Sequence, residues 1–250
     1  MPQFLIKKEN IKNNLISVTN KSDINHISKV LRLNCGDKIN FVDEEEYLYE
    51  TLILSINKNS IEAEIKSKQI SDRKLNTRIT LAQSILKAQK QDFLIQKATE
   101  TGIFEIIPMS TKNTVVKISS QKDKDEKLEK WNKIALETCK QCERANLPKI
   151  EKIISLKELL AEDEYDIRFF CNEREDGYTI RDFLRENKKN LKENSNILLI
   201  IGPEGGWDKE ELELFRKDKI ESVSLGKLIL RAETAAVCAI SDIIYEYEFK

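Results

Sequence analysis

Two hydrophobic periods divide the chain. Over the first seventy residues apolar and polar side chains alternate in short runs, the pattern of half-buried strands. Residues 3–7, 38–42, 48–56 and 60–66 are read as strands, the last two joined across Asn57-Lys58-Asn59. Residues 23–33 have helical spacing and are followed by the turn pair Gly36-Asp37. The polar stretch 71–76 reads as a linker. Beyond it, strands and helices alternate. A strand is expected over 77–82 and a helix over 84–101, halted by Gly102. A strand over 103–107 ends at Pro108. A long helix follows over 122–145, with Leu128, Trp131, Ala135 and Cys142 as its apolar stripe. The run 197–201 is apolar throughout and 166–171 is so apart from Asp166 and Arg168, as in strands of a parallel sheet covered on both faces. Helices over 208–217 and 232–245 flank a strand over 222–225. The expected architecture is a β-rich module over 1–73 followed by an α/β domain over 74–250.

Composition changes this picture little. Of 250 residues, 40% are hydrophobic and 34% charged, the profile of a globular chain with a core. No apolar run approaches the roughly 18 residues of a membrane helix. The N-terminus lacks the charged, apolar, small order of a signal peptide. A cytoplasmic protein without membrane contact is expected. Five cysteines, odd in number and scattered, point to reduced thiols. Cys139 and Cys142 form a C-x-x-C, but no second pair accompanies it and the only histidine is His26. That excludes a zinc site of the usual kind and leaves packing. No metal is expected.

Charge is balanced overall at −1 but unevenly distributed. Residues 74–152 carry 16 basic against 10 acidic side chains, and residues 153–250 carry 15 against 22. Such a dipole can orient an anionic partner, or it can be chance.

Four of the seven glycines fall in two loops. The first, Ile201-Gly202-Pro203-Glu204-Gly205-Gly206-Trp207, follows the apolar run 197–201. The second, Leu225-Gly226-Lys227-Leu228-Ile229-Leu230-Arg231-Ala232-Glu233-Thr234, follows the next strand. In open α/β sheets ligands sit beyond the carboxyl ends of the strands, where both loops fall. These loops are either tight turns or a small-molecule site with an apolar lining and a few polar groups. Asp208 is expected to cap the next helix, with Glu211 completing a capping box. No phosphate-binding P-loop, dinucleotide fingerprint or nucleophile elbow occurs.

The two glycine motifs, the second continuing to Ala235, resemble the signature of the ribosomal small subunit RNA methyltransferase E family of the SPOUT superfamily. Further matches are His26 with Val30-Leu31-Arg32 and Gly36-Asp37, then Gln96-Lys97-Ala98-Thr99-Glu100 with Gly102 and Pro108. Gln141 with Arg144 and Pro148 follow. The resemblance implies a PUA-like β-barrel that holds RNA and a SPOUT α/β domain with a C-terminal trefoil knot. It also implies a homodimer and methylation of N3 of a uridine in 16S ribosomal RNA of the small subunit, with S-adenosyl-L-methionine as cofactor. The residues carried over for the cofactor are Cys171, Ile201, Gly202, Pro203, Glu204, Gly205, Gly206, Leu225, Gly226, Ile229, Leu230, Glu233 and Thr234. Those for RNA are His26, Arg32, Lys97, Lys112, Gln141 and Arg144. The chain departs from the pattern at Gln3, at Thr101 and near Lys112-Asn113-Thr114, the first and last replacing arginines; Lys112 can compensate. Arg231 is the expected stabiliser of charge developing on the uracil, unless a salt bridge to Glu204 or Glu233 occupies it; Glu204 is the candidate base. Two rival readings are a methyltransferase acting on transfer RNA and a non-catalytic RNA-binding protein.

Overall fold

A computed structural model describes residues 3–72, 75–118 and 120–249, so Met1-Pro2 and Arg73-Lys74 of the expected linker lie outside the described residues. Two units emerge from the pattern of contacts, one of residues 1–74 with 139–146, the other of 75–138 with 147–250.

In the first unit β1 (Gln3–Leu5), β2 (Ile11–Lys12), β3 (Leu15–Val18), β4 (Lys38–Val42), β5 (Tyr47–Ile56) and β6 (Ile61–Ile70) form one sheet in the order β1-β4-β5-β6-β3-β2. Only β1 and β4 run parallel. Its core gathers Ile16, Ile27, Ile39, Phe41, Ile53 and Ile61. The helical stretch begins earlier than its apolar spacing suggests. Asn20 accepts hydrogen bonds from the amides of Ser22 and Asp23 and starts α1 (Lys21–Asn25). A single π-turn over His26–Val30 follows. The run to residue 33 is cut short because Arg32 adopts a φ of +53°, outside any right-handed helix.

The second unit is a parallel sheet with helices on both faces. Its strands are β7 (Arg78–Ser84), β8 (Glu105–Ser110), β9 (Lys149–Ile150), β10 (Ile154–Ser155), β11 (Ile167–Cys171), β12 (Asn196–Ile201) and β13 (Glu221–Val223). Its helices are α2 (Ala88–Thr101), α3 (Gln121–Cys142), α4 (Leu156–Leu160), α5 (Ile180–Asn187), α6 (Lys209–Lys217) and α7 (Ala232–Glu248). The strand order is β10-β8-β7-β12-β11-β13, with β9 also on β8. Alternate residues of one strand feed two cores. Ile197, Leu199 and Ile201 join one with Trp131, Phe183 and Ile240, while Leu198 and Ile200 join the other with Phe170 and Phe215. A run buried on both faces has no polar alternation to show, hence its apolar sequence.

Several boundaries differ from the sequence reading. The helix expected from residue 84 starts at Ala88, because Ser84 still pairs in β7. Beyond it the Ile85 amide donates to the Met109 carbonyl and the Leu86 amide to the side chain of Gln91. Pro108 does not end its strand. The Ile106 carbonyl accepts from Glu151 on the outer side of β8, so two residues on Pro108 turns its donorless nitrogen outward. It falls there between the pairing of β9 at Ile106 and that of β10 at Met109. The long helix stops at Cys142 rather than 145, where Glu143 turns to a φ of +54°. Cys139 is buried, and burial pushes its thiol up to about 12, the behaviour of an inert packed cysteine.

Candidate functional site

Three neighbouring strands, β12, β11 and β13, end side by side, and the loops beyond them enclose a cleft of about 670 Å³. That is within the range of small-molecule sites, about 300–1,000 Å³. The β12 loop reaches α6, whose first turn is a capping box: the Asp208 carboxylate accepts from the Glu210 amide and the Asp208 amide donates to Glu211. Trp207 locks this loop to the neighbouring strand. Its indole N–H donates to the Cys171 carbonyl at 3.0 Å, and its ring meets Phe170 and Phe215 edge-on. At Gly205 a Cβ would lie 3.2 Å from the Asn113 side chain, which leaves little room for anything larger than glycine.

The β13 loop turns at Gly226, where φ is +120°. The Ser224 hydroxyl bonds both the amide and the carbonyl of that glycine. A β-branched residue is strained there even though the surrounding space is open. The loop then exposes Leu228 (80%) and Ile229 (78%) before reaching Arg231, which sits at the N-cap position of α7 without a side-chain capping bond.

Of the residues expected to hold a cofactor, Cys171, Ile201, Gly202, Pro203, Glu204, Gly205, Gly206, Leu225, Gly226, Ile229 and Leu230 line the cleft, and Arg231 joins them. Glu233 and Thr234 are not among the lining residues. Both lie in the first turn of α7, where Glu233 is buried with Oε2 unbonded. Burial holds the Cys171 thiol far above its ordinary range, so it offers packing and not a nucleophile. Glu204 pairs with Lys90 of α2, and no ion pair joins Arg231 to Glu204 or Glu233 among the described residues.

The sequence reading missed Lys90, Asn113 and the third loop, Asn172-Glu173-Arg174, which all line the cleft. The third loop was findable, because it follows an apolar strand at the carboxyl edge like the other two. Lys90 and Asn113 carry no local signal.

The residues expected to meet RNA are dispersed, and none of them lines the cleft. The His26 ring packs edge-on against Phe4. Arg32 is exposed. Lys97 pairs with Glu100 along α2. Lys112 reaches Asp208 at 3.0 Å and Glu210 at 3.1 Å. Gln141 is exposed, whereas the Arg144 guanidinium donates to the Asn146 side chain at 2.6 Å.

The cleft suits a ligand with both apolar and polar parts. It offers leucine and isoleucine side chains together with Lys90, Glu204 and Arg231. Among known proteins, the family described as RNA methyltransferase domain matches residues 73–244, and RNA methyltransferase PUA domain matches 18–66. The ribosomal RNA small subunit methyltransferase E of Mesomycoplasma hyopneumoniae is 33% identical over 98% of this chain and 99% of its own. That of Bacillus subtilis is 29% identical over 90% and 88%. The crystal structure of the enzyme of that name from Neisseria gonorrhoeae, bound to S-adenosyl methionine, superposes over 100% of both chains. Its TM-score is 0.85 and its identity 25%.

Proposed function

Because this chain belongs to the ribosomal RNA small subunit methyltransferase E family, we propose that it methylates N3 of a uridine in 16S ribosomal RNA with S-adenosyl-L-methionine. The observation that carries this reading is the cleft at the carboxyl edge of the parallel sheet, built from two glycine loops and ringed by Lys90, Glu204 and Arg231.

The residues fit the cofactor. A glycine hemmed in by Asn113 keeps the loop slender, and the apolar side chains of the second loop suit the non-polar parts of a nucleoside. Gly202–Gly206 and Leu225–Leu230 would hold it; when bound, it supplies a methyl group made electrophilic by a positive sulfur. The chain's own residues do the rest. A uracil N3 carries a proton and is a poor nucleophile until that proton leaves. Glu204 is the carboxylate assigned to take it, and Lys90, its ion-pair partner, competes for that carboxylate until RNA binds. Arg231, for which no ion pair occurs among the described residues, stabilises negative charge as it spreads onto the uracil oxygens. Holding the base in line with the methyl group accounts for much of the remaining rate.

Residues 1–73 serve as a PUA-like module that grips RNA through His26 and Arg32, and residues 74–250 form the catalytic domain with a trefoil knot. Gln141, Arg144 and Lys97 add contacts to phosphates, whereas Lys112, expected to do the same, is held by Asp208 and Glu210. The enzyme works as a homodimer in the cytoplasm, and the exposed Leu228 and Ile229 support a second protomer closing over the cleft. Mass mapping of modified nucleosides in ribosomal RNA, from cells with and without the gene, tests the assignment. One 3-methyluridine in 16S RNA should disappear with the protein. An unchanged 16S map refutes the substrate.

A further inference from the structure

The turn after β8 does more than connect. Thr111 and Thr114 close it on themselves: the Thr111 amide donates to the Thr114 hydroxyl at 2.9 Å, and the two hydroxyls lie 2.8 Å apart. The Thr111 hydroxyl also donates to Ser84 at the end of β7, at 3.0 Å. All three side chains are buried, so the turn is rooted in the sheet. Its tip, Lys112-Asn113, grips the opposite structure. The Lys112 amide donates to Glu211 at 2.8 Å, and its ammonium bridges Asp208 and Glu210 across the start of α6. The Asn113 Nδ2 donates to the carbonyls of Gly206 at 3.0 Å and Gly205 at 3.4 Å.

From this geometry we infer that Asn113 is a positioning residue, a clamp that fixes the peptide orientation of Gly205 and Gly206 in the form that binds the cofactor. The inference rests on the proposed use of this loop for S-adenosylmethionine and goes beyond it. A single amide nitrogen holding two successive carbonyls opposes rotation of either peptide plane. Gly205 lies against the same side chain, so clamp and glycine fit as a pair. The turn is also the stretch, Lys112-Asn113-Thr114, near which the family pattern's arginine is replaced. Here a short neutral donor takes a task internal to the site, and Lys112 beside it is committed to α6.

The test is calorimetric affinity for S-adenosylmethionine, with steady-state kinetics, on full-length Asn113→Ala and Asn113→Asp. Alanine removes the donor and should weaken cofactor binding by about threefold to tenfold, the scale of one or two partly exposed hydrogen bonds. Aspartate has nearly the same shape but turns an oxygen toward two carbonyl oxygens, so its loss should exceed tenfold. KM for the cofactor should rise in that order, with kcat at saturating cofactor and KM for RNA unchanged. A structural defect would instead lower the melting temperature and reduce kcat in both variants. Wild-type cofactor affinity in Asn113→Asp overturns the clamp, as does an aspartate variant that loses RNA affinity alone. If the unmodified protein fails to bind S-adenosylmethionine, the proposed function fails, a separate result visible before any variant is made.

Discussion

Arg231 ends a loop that lines the cleft and is left without Glu204, which Lys90 holds, or Glu233, which is buried in α7. An exposed cation with no acidic partner among the described residues is ready for an incoming anion. Arg231→Ala should therefore lower single-turnover methylation by about a hundredfold, the scale seen when one preorganised donor is removed. Cofactor affinity should hardly change. A normal rate at saturating RNA would demote Arg231 to a binding residue. The glycines make a second prediction. Gly205→Val drives two γ carbons toward Asn113, whereas Gly226→Val meets open space but a φ of +120°. Both should weaken S-adenosylmethionine binding measured by calorimetry, the first by crowding and the second by distorting the loop. Unchanged affinity in both folded variants removes the glycine loops from the cofactor site.

Among the elements, α7 shows how a helix is anchored at a distance. The Glu248 carboxylate near its end accepts four hydrogen bonds from the amides and side chains of Asn76 and Thr77, at 2.6 to 3.0 Å. Burial works against its charge, yet these bonds prevail and hold the carboxyl below its ordinary value. A depressed carboxyl stabilises the fold above its unfolded pKa of about 4.3, and that stabilisation fades as pH falls through the lower folded value. Glu248→Gln should cost on the order of 1 kcal/mol near neutral pH, discounted for partial exposure, or roughly 2–4 °C in Tm. The gap from wild type should narrow on acidification below about pH 4. A gap that stays constant down to pH 3 would mean the charge is irrelevant. Elements of this kind differ in how far they can be read from sequence. The capping box at Asp208 and Glu211 and the apolar strand β12 were legible because their cause is local. Helix α5 escaped because it is eight residues long, with only Ile180, Phe183 and Leu184 buried. The start of α2 was misplaced because Ser84 obeys its pairing with Met109, a residue far along the chain. Within the site, the glycines announced themselves, while Lys90 and Asn113 arrive by tertiary placement alone.

On the scale of the whole molecule, Leu228 and Ile229 stand 80% and 78% exposed, and Tyr245 of α7 stands 73% exposed. Large apolar side chains on a loop that lines a cleft invite cover. Light scattering at micromolar concentration and physiological salt should give twice the 29.0 kDa chain mass. A monomer under those conditions would contradict the homodimer and the sharing of the site.

The place of β12 in the sheet also governs when the chain can fold. This strand lies between β7 and β11, yet it is made more than a hundred residues after the first of them. As the ribosome extends the chain, residues 78–84 and 167–171 emerge with facing edges that have nothing to pair with until residues 196–201 follow. Those edges carry unpaired amides and carbonyls beside apolar side chains such as Ile79, Leu81, Phe169 and Phe170, the combination that recruits other strands. Non-local parallel pairing is also slow to form. A nascent chain stalled before residue 196 thus holds two strand edges without their shared partner, the kind of partly folded state that is prone to aggregate.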